Sequence, residues 1–207
     1  MTAAANVRAP AVTDDAVREV LLSGDVARAA TLVIQGLGPE VFGFLRGSLG
    51  NEVAADDVFA VTSERIWRGL PDFRWQCSVR TWVYVIARRE SLRFSKGARR
   101  RDARQVTPTR LDEMVERVRT ATRSALGTEK MSRVSALRDE LPVEDRTLLI
   151  LRVDRTLAWE DIARTFLVED ETPSEPDLKR EAARLRKRFQ LVKERLATRA
   201  REEGLLS

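Results

Sequence analysis

Six apolar residues near the C-terminal end, Leu178, Ala182, Leu185, Phe189, Val192 and Leu196, recur alternately four and three positions apart. That spacing keeps them on one face of an α-helix and scatters them over both faces of a strand. A helix with one apolar stripe has to bury it against other elements, so the chain needs further helices or a sheet to pack on. Residues with strong strand preference are sparse beside Ala, Leu, Arg and Glu, and aromatics make up only 6%. The partners of that helix are therefore expected to be helices.

Shorter stretches of the same periodicity fill the rest of the 207 residues, a length that suits one medium domain or two small ones. Asp14 and Asp15 suit the start of a helix through Leu22, which Ser23–Gly24 stops. Asp25 caps a second helix expected to end before Gly36 and Gly38, and a third is expected to start near Pro39. A fourth carries Val58, Val61, Ile66 and Trp67 and breaks near Gly69–Pro71. A fifth runs from about Val79 to Lys96. Ala98 to Pro108 is basic and weakly apolar, and Leu111, Met114, Val115 and Val118 mark one more amphipathic helix before Gly127. Beyond Met131 come a helix bearing Leu148 to Val153, a short helix from Trp159 to Leu167, an acidic segment Glu169 to Asp177, and the striped helix from about Leu178 to Arg201. The expected fold is all-α: two small helical domains joined by a linker, the second containing a helix-turn-helix. The divisions are a flexible N-terminal segment (1–20), a first domain (21–100), a linker (101–130) and a second domain (131–207).

Histidine is absent and Cys77 is the only cysteine. A disulfide within the chain and a zinc site of His or paired Cys ligands are thereby excluded. The commonest general acid–base and the His-activated nucleophiles are missing too, so neither an enzyme nor a cofactor is expected. No apolar run approaches the roughly 18–20 residues of a membrane span. Met1 to Thr13 lacks the apolar core of a secretion signal. These features predict a cytoplasmic protein.

Charge is more telling in its distribution than in its sum of 37 basic against 32 acidic residues. Phe73, Trp75, Trp82 and Tyr84 fall within twelve residues, directly before a run from Arg88 to Arg104 that holds eight cations and two acids. Rings beside cations suit single-stranded DNA, because bases stack on the rings while cations hold the backbone. The same aromatics also suit a hydrophobic core, and the periodicity of Trp82 and Ile86 fits either role. A second basic helix follows Trp159–Arg164, with Lys179, Arg180, Arg184, Arg186, Lys187 and Arg188 opposite its apolar stripe. That arrangement fits a recognition helix in a major groove or an ordinary solvated face. The acidic cluster Glu52, Asp56 and Asp57 suits the positive end of the fourth helix or a protein-docking face.

The order of these features resembles the extracytoplasmic-function sigma factors of the sigma-70 family. Ser23-Gly24-Asp25 resembles their "GD" opening, and Ala55-Asp56-Asp57 resembles the acidic start of their polymerase-docking helix, which ends in a tryptophan as here at Trp67. Phe73 followed by Arg80-Thr81-Trp82-Val83-Tyr84-Val85-Ile86-Ala87-Arg88 is similar to their "F…RTWLYxIAR". Leu137 to Pro142 with Arg146, Leu149, Leu151 and Arg152 resembles "L..LP..R.v..LR", and Leu157 to Ala163 resembles "LsyeEIA". The resemblance implies an alternative sigma factor that binds RNA polymerase core through Asp56 and Asp57. Trp75, Arg80, Trp82, Arg88 and Arg89 would read and unstack the −10 promoter element. Arg180, Arg184, Lys187 and Arg188 would enter the −35 major groove. An anti-sigma factor is a further implied partner. Two positions depart from the pattern. Ala60 and Val61 stand where the family carries polar docking residues, and the segment between Ala163 and Arg184 exceeds the usual connector of about 3–4 residues. The second departure implies either an extended recognition helix or an inserted loop. The first leaves open a sigma-like DNA-binding regulator that does not itself initiate transcription.

Overall fold

The computed structural model describes residues 12–97, 109–126, 133–167 and 173–205. Most of the N-terminal tail, the basic linker 98–108, the break at Gly127–Thr128 and the middle of the acidic segment lie outside them. Nine α-helices and no strand occur among the described residues.

Helix α1 (Asp14–Leu22) starts where the Thr13 hydroxyl accepts from the Ala16 amide. The helix expected from Asp14 and Asp15 through Leu22 is present, within a stretch otherwise assigned in part to a flexible segment (1–20), and Val17 is fully buried. Helix α2 (Val26–Leu49) opens on the Asp25 cap and closes on Gly50 at φ +63°, a conformation glycine adopts without steric cost. The expected break between two helices at residues 36–39 is corrected: α2 runs through Gly36, Gly38 and Pro39. Proline removes one helical hydrogen bond and crowds the preceding turn, and each interior glycine costs about 1 kcal/mol against alanine. Packing offsets these costs. A β-carbon at Gly38 would stand 2.9 Å from Val118, so the missing side chains let neighbouring elements approach the α2 backbone.

Helix α3 (Glu52–Gly69) is capped by Asn51, whose side chain accepts from the Ala54 amide. A 3₁₀ turn at Leu70–Asp72 leads to a loop and then to α4 (Val79–Ser95), capped by Ser78. The Asp14 carboxylate accepts from the Val79 amide at 2.9 Å, which ties the first turn of α1 to the start of α4. Phe42, Phe44, Phe59 and Tyr84 fill the space between α2, α3 and α4, with the Phe44 and Tyr84 rings edge to face at 5.3 Å.

Helix α5 (Thr109–Leu126), in the stretch expected to link two domains, is docked. Leu111, Met114, Val115 and Val118 are buried against α2 and α3. After α6 (Arg133–Asp139), helix α7 (Val143–Leu149) passes into a π-helical segment, Ile150–Asp154, and α8 (Trp159–Phe166) and α9 (Glu175–Glu202) follow. Five of the six stripe residues of α9 are buried and Leu196 is half-buried. One hydrophobic cluster runs from Val17 to Val192. It is continuous because α7 and the π-helical segment pack on α2, and α8 packs on α4.

Candidate nucleic-acid interface

Three rings stack at the entrance to α4. Phe73 is shared, its ring centroid 4.9 Å from that of Trp75 with 49° between planes and 4.9 Å from that of Trp82 with 30° between planes. Arg18 of α1 lies over the outer face of Trp75 at 4.5 Å. Trp75 has φ +57°, a backbone state that costs a non-glycine residue about 1–2 kcal/mol. Contacts with Phe73 and Arg18 hold it there. Phe73 and both tryptophans are half-buried, so each ring keeps an accessible part. Trp82 and Arg89, seven positions apart, lie on one face of α4, and Arg89 is half-buried. Arg18 was not singled out in the sequence, because nothing local places a residue of α1 against a loop more than fifty positions away.

The other two α4 candidates point elsewhere. Arg80 donates from Nε and an Nη to the two carboxylate oxygens of Glu40 at 2.8 and 3.0 Å, and also to the Arg155 carbonyl at 3.0 Å. The hydrogen bonds it donates to Glu40 raise the pKa of Arg80 above its ordinary value despite partial burial. Arg88 is 4% exposed. Its guanidinium donates to the Thr165 carbonyl at 3.1 Å and lies 3.9 Å from the Phe166 ring centroid. Burial pulls its pKa down to about 10, and the carboxylates of Glu144 and Glu181 only partly oppose this. Between these two arginines, the Thr81 hydroxyl donates to Asp161 of α8 at 2.9 Å.

On α9 the candidate cations face carboxylates of their own chain. Arg180 pairs with Asp177, and Arg184 forms a two-bond pair with Glu181 at 2.8 and 2.6 Å. Arg188 reaches across to α7 and bonds both Asp145 and Glu144 at 2.6 Å. Lys187 is exposed. Trp159 packs edge to face on Phe189 at 5.5 Å, which fixes α8 against α9. Exposed pairs such as Arg180–Asp177 hold weakly and yield to a competing polyanion.

Of the two docking aspartates on α3, Asp57 is exposed and Asp56 is half-buried. Asp56 sits 3.6 Å from the Arg119 guanidinium of α5, and its carbonyl accepts from Arg119 at 2.5 Å. Exposed Val53 and Val61 lie on the same helix. The amphipathic pattern of α5 was legible in the sequence, but its seat over Asp56 was not.

Residues 33–101 match the family model described as Sigma-70 region 2. The matched stretch takes in most of α2, all of α3 and α4, and the three-ring stack. The fold and this match define an all-helical protein that carries a segment of sigma-70 region 2 type across a third of its length. No curated protein matches the chain. No helix among the described residues is long and apolar enough to cross a membrane, and no group of three or more His, Cys, Asp or Glu side chains among them could hold a metal ion.

Proposed function

We propose that this chain is an alternative sigma factor of the extracytoplasmic-function type, which binds RNA polymerase core and directs it to promoters. The observation that carries the reading is the Trp75–Phe73–Trp82 stack inside a region 2 segment, beside the cations of α4. Bases released from a duplex gain about 1–3 kcal/mol each by stacking on protein rings, the scale needed to offset unstacking them. In this reading Trp75, Trp82 and Arg89 engage the opened −10 strand, and Arg80 and Arg88 join them once released from their internal partners. Asp57 and the exposed side of α3 meet the polymerase. The second half forms a helix-turn-helix in which Arg180, Arg184, Lys187 and Arg188 on α9 approach the −35 groove. An anti-sigma factor covering these surfaces completes the scheme, which operates in the cytoplasm.

A second reading, a sigma-like regulator that does not initiate, is favoured by Ala60 and Val61 on α3 and by Arg119 over Asp56. Run-off transcription separates the two. Purified chain plus polymerase core is expected to give discrete transcripts from genomic fragments that core alone ignores. DNA binding without any transcript supports the regulator, and neither activity refutes both.

A further inference from the structure

Helix α1 reaches the loop before α4 at two points one helical turn apart. Asp14 accepts from the Val79 amide, and four residues on, the Arg18 guanidinium lies 4.5 Å from the Trp75 ring centroid. Residues four apart share a face of a helix, so this face of α1 is turned to the loop. The matched region 2 stretch begins only at residue 33, and α1 lies before it. Arg18 also differs from the candidate cations described above. Arg80 is held by Glu40, Arg88 is buried, and Arg180, Arg184 and Arg188 pair with carboxylates. Arg18 is exposed, and no carboxylate among the described residues forms an ion pair with it.

We infer that Arg18 and Trp75 together bind one nucleotide of the opened strand, with the base on the indole and the phosphate on the guanidinium. The inference rests on the promoter-binding role proposed above and extends it to a helix outside the region 2 match. A guanidinium is planar and weakly hydrated, so it can rest on an aromatic ring and can also bond a phosphate through two parallel N–H groups. Its present seat on Trp75 is a place-holder for a base. An exposed cation–ring contact is weaker than a base–ring stack, so a base arriving on the indole displaces the guanidinium. The displacement breaks no ion pair with a described carboxylate and needs only rotation of a flexible stem. The released charge then finds the phosphate of the same nucleotide.

The backbone at Trp75 argues for a built site over an incidental contact. Its φ of +57° is disfavoured by β-carbon sterics in every residue but glycine. A loop that needed only this turn would be served by glycine or asparagine, whereas the chain places its largest ring there. Phe73 at 4.9 Å, Arg18 and the Asp14–Val79 bond hold the strained segment. Strain kept in place by several neighbours is a mark of sites where a side chain must be presented in one orientation. Trp75 is half-buried, so part of the indole stays open to a base while the guanidinium is seated.

The test uses the full chain with saturating polymerase core and a fluorescent fork-junction DNA whose −10 element is single-stranded, drawn from a promoter selected in the run-off assay. Affinity is measured from about 50 to 200 mM salt for the parent, Arg18→Gln and Arg18→Lys, with core affinity and the urea midpoint followed in parallel. One phosphate contact on a single strand contributes about 0.7 to the slope of log affinity against log salt. Arg18→Gln is expected to bind several-fold more weakly at the lowest salt, with that slope shallower by about 0.7. Arg18→Lys keeps the charge and is expected to keep the parent slope. An unchanged slope in Arg18→Gln overturns the inference even if affinity or stability falls, because a guanidinium that only props Trp75 does not alter the number of phosphates bound. An equal loss of slope in both variants overturns it too, since the charge is then not what the strand meets. If the parent with core binds no such DNA, the sigma reading itself fails and takes the inference with it.

Discussion

Replacing Trp82 with alanine separates a ring that builds the fold from a ring that reads DNA. The indole is half-buried, stacked on Phe73 at 4.9 Å with 30° between planes. A β-carbon at Gly69 would lie 3.3 Å from its Cζ2, so it also packs against the end of α3. A tryptophan buries about 150–250 Å² when enclosed. Half of that at about 25 cal/mol/Å² is about 2–3 kcal/mol, and the ring pair adds about 0.5–1.5 kcal/mol. Trp82→Ala is therefore expected to destabilise the chain by about 3 kcal/mol, and Trp82→Phe by less than half of that. Loss of one base-stacking contact costs a further 1–3 kcal/mol of affinity, or about 5- to 150-fold. The assay is fork-junction DNA binding at a temperature where urea titration shows both variants fully folded, with core affinity measured in parallel. The alanine variant should lose DNA affinity by that factor and keep its affinity for core. Equal loss of DNA and core binding, in step with stability, would refute the stacking role and leave Trp82 as a core residue.

Three further outcomes follow from the same geometry. Arg119→Met removes the cation that competes for Asp56, and surface sedimentation or co-purification should show core affinity raised several-fold, a change on the order of 1 kcal/mol; unchanged affinity would remove Asp56 from the docking face. Arg188 holds the Glu144 carboxyl below its ordinary value of 4.5, so this contribution is present above pH 4.5 and lost as pH falls further. Stability measured from pH 6 to 3 should decline, less steeply in Glu144→Gln, and identical slopes would count against the pair. Arg184→Ala, if the side chain reads a base, should weaken protection over the −35 element by about 1–3 kcal/mol, whereas an intact footprint there would strike it from the recognition set.

Much of the helical layout was readable from local signals, because caps and stripes act within a few residues. Asp25, the start of α4 at Val79 and the stripe of α9 are examples. The break expected at Gly36–Pro39 failed because propensity is a local quantity, while α5 packs against α2 from some eighty residues away. The candidate DNA-contacting residues were legible as types, namely rings beside cations. Their present partners were not. Glu40 for Arg80 is set by how α2 packs on α4, and the Arg155 carbonyl for Arg80 and the Thr165 carbonyl for Arg88 by how the two halves dock, and no spacing along the chain encodes either.

The proposed function requires this chain to open promoter DNA together with RNA polymerase core. Placing 2-aminopurine in the −10 element of a promoter that the chain selects reads base unstacking directly. Fluorescence should rise only when chain and core are both present, and Trp82→Ala should suppress that rise. A signal that stays flat with both present, or that core produces alone, would contradict the account.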